Sequence, residues 1–465
     1  MTFNSTIFLF VFLPLAVCIH TLLPRTPQKN KWLLFASLFF YGWCNWEGCL
    51  FLILYGLFNY GIVRLIYRRP GNKLLLVLGV LADVGILFFF KYFNFSAYVL
   101  NRFLGTSISV IHVFQPLGIS FVTFTAISFV VDVYRGVAGK IPSLSDFYLY
   151  LSLFPKAAQG PITRYSQLSE QLVLRQCSFA KISSGLKRFI IGLGKKCLIA
   201  DVLGKSADVV FSGIHDGLLP SVAWLGLLYY TFQIFYDFSG YTDMAIGIGQ
   251  MLGFSLPENF DRPYLSKSVS EFWRRWHMTL GQWFRNYIYI PMGGNRKGTL
   301  RTLFNLSVVW FVTGIWHGAD LNYILWGMYY GILVMFEKLV SRKTWYLKTP
   351  GLLKWAVTFF ATIIGWVIFR TSTVSQLTLY LQTMFGLAGI PENAYGIAYF
   401  FDFPSLLALG AGILLALPRP KVLTGLTERS TAAYVLNNLW LAIVFIFALV
   451  FMVNSSYSAF IYFQF

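Results

Sequence analysis

The feature that most constrains this chain is the recurrence of apolar runs of roughly 17 to 25 residues, the length a helix needs to cross the hydrocarbon of a bilayer. One opens the sequence as MTFNSTIFLFVFLPLAVCIHTLL. Others lie near Trp32–Trp43, Leu50–Tyr67, Leu74–Phe93, Gln115–Val133, Leu218–Phe235, Asn305–Trp316, Tyr323–Leu339, Leu353–Phe369, Ser405–Leu417 and Asn437–Val453. Lipid offers no partner to a backbone N–H or C=O, so a spanning segment is either a helix or a strand of a closed barrel. Barrel strands would show ten-residue alternations, which are absent here. The expected fold class is therefore all-α: a polytopic integral membrane protein of roughly eleven transmembrane helices with interfacial or re-entrant pieces.

Charge supports this reading. Lys and Arg number 37 against 18 Asp and Glu, yet only 12% of the 465 residues are charged and 57% are hydrophobic. The basic residues gather in short connections: Arg25 to Lys31, Arg64–Lys73, Tyr134–Lys140, Ser341–Lys348 and Pro418–Arg429. That is the positive-inside pattern, with some charge left for anionic headgroups or an anionic substrate. It places these connections in the cytoplasm and both termini outside, and no basic stripe on a soluble fold points to nucleic acid. The first apolar run has no basic residues before it and no small-x-small cleavage site, so it reads as a retained span.

Cys18, Cys44, Cys49, Cys177 and Cys197 are odd in number and form no C-x-x-C pair, which indicates neither a disulfide framework nor a zinc site, although Cys44 and Cys49 could meet in one outward loop. No internal repeat or long linker divides the chain. The expectation is one membrane domain over 1–465, comprising N-terminal spans (1–141), a patchy re-entrant or interfacial region (142–300) and C-terminal spans (301–465).

The patchy region holds the chemistry. Between Arg262 and Arg301 stand eight basic residues and one acid, Glu271, around FWRRWHMTLGQWFRNYIYIPMGGNR. If Ser270–Phe284 is one helix, Trp273, Trp276, Leu280 and Trp283 or Phe284 share a face, which suits an interface. His277 interrupts that bland pattern, and a second unusual histidine, His317, follows in FVTGIWHGAD at the end of an apolar span. Ionisable groups at membrane depth are expensive and serve a function, face a cavity or pair with each other. For His20, His112 and His215 a structural role suffices. No third ligand stands at a metal-like offset from either motif histidine.

A third stretch, YDFSGYTDMAIG, sets Asp237, Ser239 and Asp243 in embedded sequence. A serine nucleophile would want a G-x-S-x-G elbow, which is missing, so hydrogen-bonding roles in a broken helix or polar tunnel are expected instead.

Together with PKAAQGPITR, these stretches resemble the membrane-bound O-acyltransferase (MBOAT) family, in particular its bacterial branch with the alginate O-acetyltransferase membrane subunit and the D-alanyl transfer protein of teichoic acids. The resemblance implies a ring of helices around a tunnel, in the bacterial cytoplasmic (inner) membrane. It also implies acyl transfer from a cytoplasmic thioester to an acceptor at the outer face. His317 falls at the family's signature histidine, and His277 at its second polar position. The implied donor is acetyl-coenzyme A, with an acyl carrier protein as alternative, and no metal. Arg274, Arg275, Trp276, Arg285, Asn286, Gly293, Gly294, Trp316, Asp237 and Ser239 are the implied substrate or donor contacts, with Arg296 and Lys297 nearby. The implied partners are membrane lipid and an extracytoplasmic acetyltransferase acting on a polysaccharide. D-alanyl transfer to teichoic acid is the alternative within the enzyme class. A proton-coupled transporter is the alternative outside it, although only one of the two expected clusters of broken helices is present.

Overall fold

The structure, a computed structural model, describes residues 1–111, 114–389, 395–418, 431–454 and 457, which are helical with no strand among them. His112, residues 419–429 of the last basic connection and the C-terminus lie outside the described residues. The chain forms two compact units, residues 1–189 with 242–258, and 190–241 with 259–464.

The first unit starts with α1 (Leu13–Leu22), α2 (Thr26–Cys44), α3 (Trp46–Arg68), α4 (Lys73–Leu104) and α5 (Ile119–Tyr134). Their ends follow local chemistry. Asn45 caps α3 by accepting from the backbone of Glu47 and Gly48, and Asn72 caps α4 through Leu75 N. Gly105 ends α4 at φ 63, where a side chain would be strained. All five cysteines are free, so Cys44 and Cys49 do not pair.

The patchy sequence after α5 forms a helical hairpin. α6 (Leu144–Ser152) leads into α7 (Phe154–Ala157) and an irregular segment, and α8 (Tyr165–Val173) returns. Both arms meet at Asn30, whose Nδ2 donates to Asp146 on the outgoing arm and to Leu172 O on the returning one, each at 2.8 Å. Arg175 locks this base by donating to Asn30 Oδ1 and Leu252 O. The irregular tip, from Ala158 to Thr163, is buried within the first unit. Lys156, at the tip, lies 4.6 Å from the centre of the Tyr150 ring.

α9 (Phe179–Gly194), α10 (Asp201–Ser212) and α11 (Pro220–Met251) follow. α11 runs unbroken through Asp237 and Asp243, contrary to the expected broken helix. Both carboxylates are compensated: Arg188 holds Asp243 and Glu258 in the first unit, and Lys196 holds Asp237 and Asp201 in the second. With charge neutralised from α9 and its continuation, the helix has no reason to open.

In the second unit, α12 (Val269–Arg275) and α13 (Met278–Phe284) precede α14 (Gly298–His317), α15 (Leu321–Val340), α16 (Thr344–Lys348), α17 (Gly351–Arg370), α18 (Val374–Met384), α19 (Phe403–Ala416) and α20 (Thr431–Asn454). α14 and α15 form a hairpin packed close enough that a Cβ on Gly314 would lie 2.6 Å from Tyr323 O, and one on Gly327 2.5 Å from Trp310 O. Backbones approach this closely in membranes where small residues meet. α17 packs on α15, with Tyr330 Oη donating to Thr362 O at 3.1 Å and Asn322 donating to Thr371.

Among the described residues five helices are long and apolar enough to cross a membrane: α3, α4, α15, α17 and α20. Phe8–Leu22, α5 and α19 are shorter apolar helices.

Candidate active site

The segment expected as a single helix over Ser270–Phe284 is two short helices, α12 and α13, broken at Trp276 and His277. The cause lies upstream, in the loop after α11. Asn259 accepts on its carbonyl O from Met278 N at 3.0 Å, and on its side-chain Oδ1 from Thr279 N at 3.2 Å and Thr279 Oγ1 at 2.9 Å. These bonds take the first donors of α13 and hold His277 left-handed, at φ 44. A non-glycine residue there is strained by about 1–3 kcal/mol, a cost carried only where the surroundings over-determine it.

The break turns the pair into a second helical hairpin. Its outgoing arm starts where Ser270 N donates to Glu337 near the end of α15, at 2.9 Å. Trp273 then passes between Trp310, Trp326 and Tyr330, with ring centroids 5.0, 5.4 and 4.8 Å away. The tip is deep: Trp276 is 4.8 Å from Trp366. The returning arm ends where Asn305 Nδ2 donates to Gly294 O at 2.9 Å, near the start of α14.

At the tip His277 is 2% exposed and packs edge-on against Phe238 at 4.7 Å, with Trp316 at 6.4 Å. Trp316 in turn lies 4.8 Å from His317, which ends α14 and is also 2% exposed. Trp326 at 4.9 Å and Phe369 at 5.3 Å also pack against His317. The two histidines, forty positions apart, thus touch a single indole.

Several polar atoms around the two rings are open. The indole N–H groups of Trp273 and Trp326, the Ser239 hydroxyl and Asn259 Nδ2 are buried without a hydrogen-bond partner among the described residues. Buried donors of this kind are costly unless something meets them, as a substrate would.

The other expected contacts divide. Trp276, Trp316 and Asp237 are buried, the last bound to Lys196 Nζ at 2.7 Å. Arg275 pairs with Glu271 at 2.8 Å, whereas Arg274, Arg285, Arg296 and Lys297 are exposed and Asn286 is half-buried. Gly293 and Gly294, at φ 104 and 55, turn the chain after a π-helical turn at Arg285–Tyr289, with Gly294 N donating to Tyr289 O at 2.9 Å. The turn itself accounts for the double glycine. Sequence reasoning did not find Asn259 or Trp326. Asn259 is one polar residue in a polar loop, and nothing in the sequence marked its reach to a residue 18 positions on.

A family model described as MBOAT, membrane-bound O-acyltransferase family, matches residues 72–380. The probable alginate O-acetylase AlgI of Pseudomonas aeruginosa is 39% identical over 83% of this chain and 75% of its own. The peptidoglycan O-acetyltransferase of Helicobacter pylori is 35% identical over 83% of this chain and 80% of its own. The teichoic acid D-alanyltransferase of Bacillus subtilis is 28% identical over 54% of this chain and 68% of its own.

Proposed function

The chain belongs to the membrane-bound O-acyltransferase family, as a multi-pass membrane O-acyltransferase, and we propose that it moves an acetyl group from a cytoplasmic thioester for O-acetylation of a secreted or cell-wall polysaccharide. The observation that carries this reading is the pair of buried histidines on one indole, set among open N–H donors. In the proposed full architecture about eleven helices span the inner membrane.

Transfer from a thioester to a hydroxyl needs a base for the attacking O–H and stabilisation for the oxyanion that forms. In the proposed mechanism His317 takes the hydroxyl proton as oxygen attacks the thioester carbon. The C–O bond forms, the C–S bond breaks, and the proton passes to the leaving sulfur. In this reading His277 orients the substrate, and the indole N–H of Trp326, whose ring packs beside His317, serves the oxyanion. The donor is acetyl-coenzyme A, an acyl carrier protein being the alternative, and its anionic end would lie on exposed Arg274, Arg285, Arg296 and Lys297. An extracytoplasmic partner completes delivery to the polymer.

The higher identity to acetyl-transferring relatives, over more of the chain, favours acetyl over D-alanyl transfer. The test is His317→Ala in a strain lacking the native gene, read as ester-linked acetate on the surface polymer. Loss of a general base predicts a fall of about 100-fold or more. Undiminished acetate from a normally inserted variant would remove His317 from that role, and alanine esters in place of acetate would select the D-alanyl reading.

A further inference from the structure

The proposed mechanism leaves open whether His277 offers its substrate a proton or a lone pair. Its neighbours decide this. The atom of Asn259 that faces His277 also receives the backbone N–H of Thr279, so it must be the carbonyl oxygen rather than the amide nitrogen. That oxygen lies 3.0 Å from His277 Nδ1 and can only accept. The hydrogen of the neutral ring therefore sits on Nδ1, and Nε2 carries the lone pair.

We infer that Asn259 is a positioning residue which fixes His277 in its Nδ1–H form, so that Nε2 accepts a hydrogen bond from a second hydroxyl of the acceptor, beside the one that His317 deprotonates, and does not donate one to the thioester carbonyl. Two independent features agree. The left-handed backbone at His277 is held by bonds from Met278 and Thr279 to the same asparagine, so ring and main chain are set by one residue. The ring also packs against Phe238 and Trp316, while Asp237 on α11 is bound by Lys196, and Arg275 on α12 by Glu271. An acceptor held at Nε2 through this second hydroxyl is oriented with its attacking hydroxyl left to His317, and the thioester carbonyl must find its donors elsewhere, among the indole N–H groups. This assignment rests on His277 belonging to the acyl-transfer site.

The tautomer can be read without any substrate. The chain has five histidines, few enough for ¹⁵N-histidine NMR of the full protein in lipid nanodiscs, with His277→Gln assigning the signal. The expected spectrum shows His277 protonated at Nδ1 and bare at Nε2 in the wild type, and a mixture of tautomers in Asn259→Leu. A proton on Nε2 in the wild type, or an Asn259→Leu spectrum unchanged from it, overturns the inference. Asn259→Asp keeps the acceptor but adds charge, and raises the pKa of His277. Transfer of label from acetyl-coenzyme A in membrane vesicles should then be retained at high pH and fall about tenfold per unit below the new pKa, because protonation removes the Nε2 lone pair. Activity that rises on acidification would mean that His277 is a donor, and a profile identical to the wild type would make Asn259 merely structural. If His277→Ala transfers label normally, the site reading fails whatever the tautomer. If it is inactive while the NMR signal ignores Asn259, only the present inference fails.

Discussion

His277 combines two costs, a left-handed backbone and a buried polar ring, and the first has a consequence that can be measured on the resting protein. Glycine adopts this backbone freely and alanine does not, so His277→Gly should be more stable than His277→Ala by about 1 kcal/mol. Melting temperatures of the two variants check it, and a lower value for His277→Gly would mean that no strain is held at this position. The sequence marked both histidines through the rarity of ionisable groups in apolar surroundings. It did not mark Asn259, because a loop asparagine has the same sequence signature whether it holds a histidine or faces water.

At the scale of elements, placing the two histidines together is the work of two hairpins. The α12–α13 pair brings His277 to its tip, and α14–α15 ends one arm at His317. Periodicity suggested a single amphipathic helix over Ser270–Phe284. It failed because hydrogen bonds from a distant loop, which periodicity does not register, open the chain at Trp276. The same limit, with opposite sign, applies to α11, where two aspartates suggested a break and the cations Arg188 on α9 and Lys196 just after it preserve continuity. The α14–α15 hairpin offers a test of geometry without chemistry. Gly314→Ala would force its Cβ against Tyr323 O, where backbone rather than a flexible side chain must yield. Overpacking of this kind costs about 1–3 kcal/mol and splays the arm that carries His317. Polymer acetate should fall at least tenfold in Gly314→Ala, while Gly61→Ala, whose Cβ meets no atom within 4 Å, should keep full activity and gain up to about 1 kcal/mol of helix stability. Full activity in Gly314→Ala would show that the site tolerates movement of the hairpin.

For the whole molecule the question is which side each end of the site faces. In the second unit the basic ends coincide: α14 starts after Arg296 and Lys297, α15 ends by Lys338, Arg342 and Lys343, and α17 starts between Lys348 and Lys354. The opposite ends carry His317, Asp320 and Arg370, and Asp208 neutralises Arg370 across 2.5 Å. In the orientation we propose from the positive-inside rule, the first set is cytoplasmic and the His317 tip faces outward. An acyl group entering at the basic end of α14, a helix of 20 residues, would then travel about 30 Å to reach His317, past the aromatic side chains of the α12–α13 hairpin. This orientation predicts that a donor must insert a long, slender arm from the cytoplasm, and that the acceptor meets it near the outer end. Single cysteines in a cysteine-free background test it with a membrane-impermeant maleimide. Lys343→Cys, at the basic end, should label only in inverted vesicles, and Asp320→Cys, exposed at the tip, only in intact cells with the outer barrier permeabilised. Labelling of both from one side would remove the proposed path across the membrane. Reversal of both would place His317 in the cytoplasm, and the acceptor would then have to be acetylated before export.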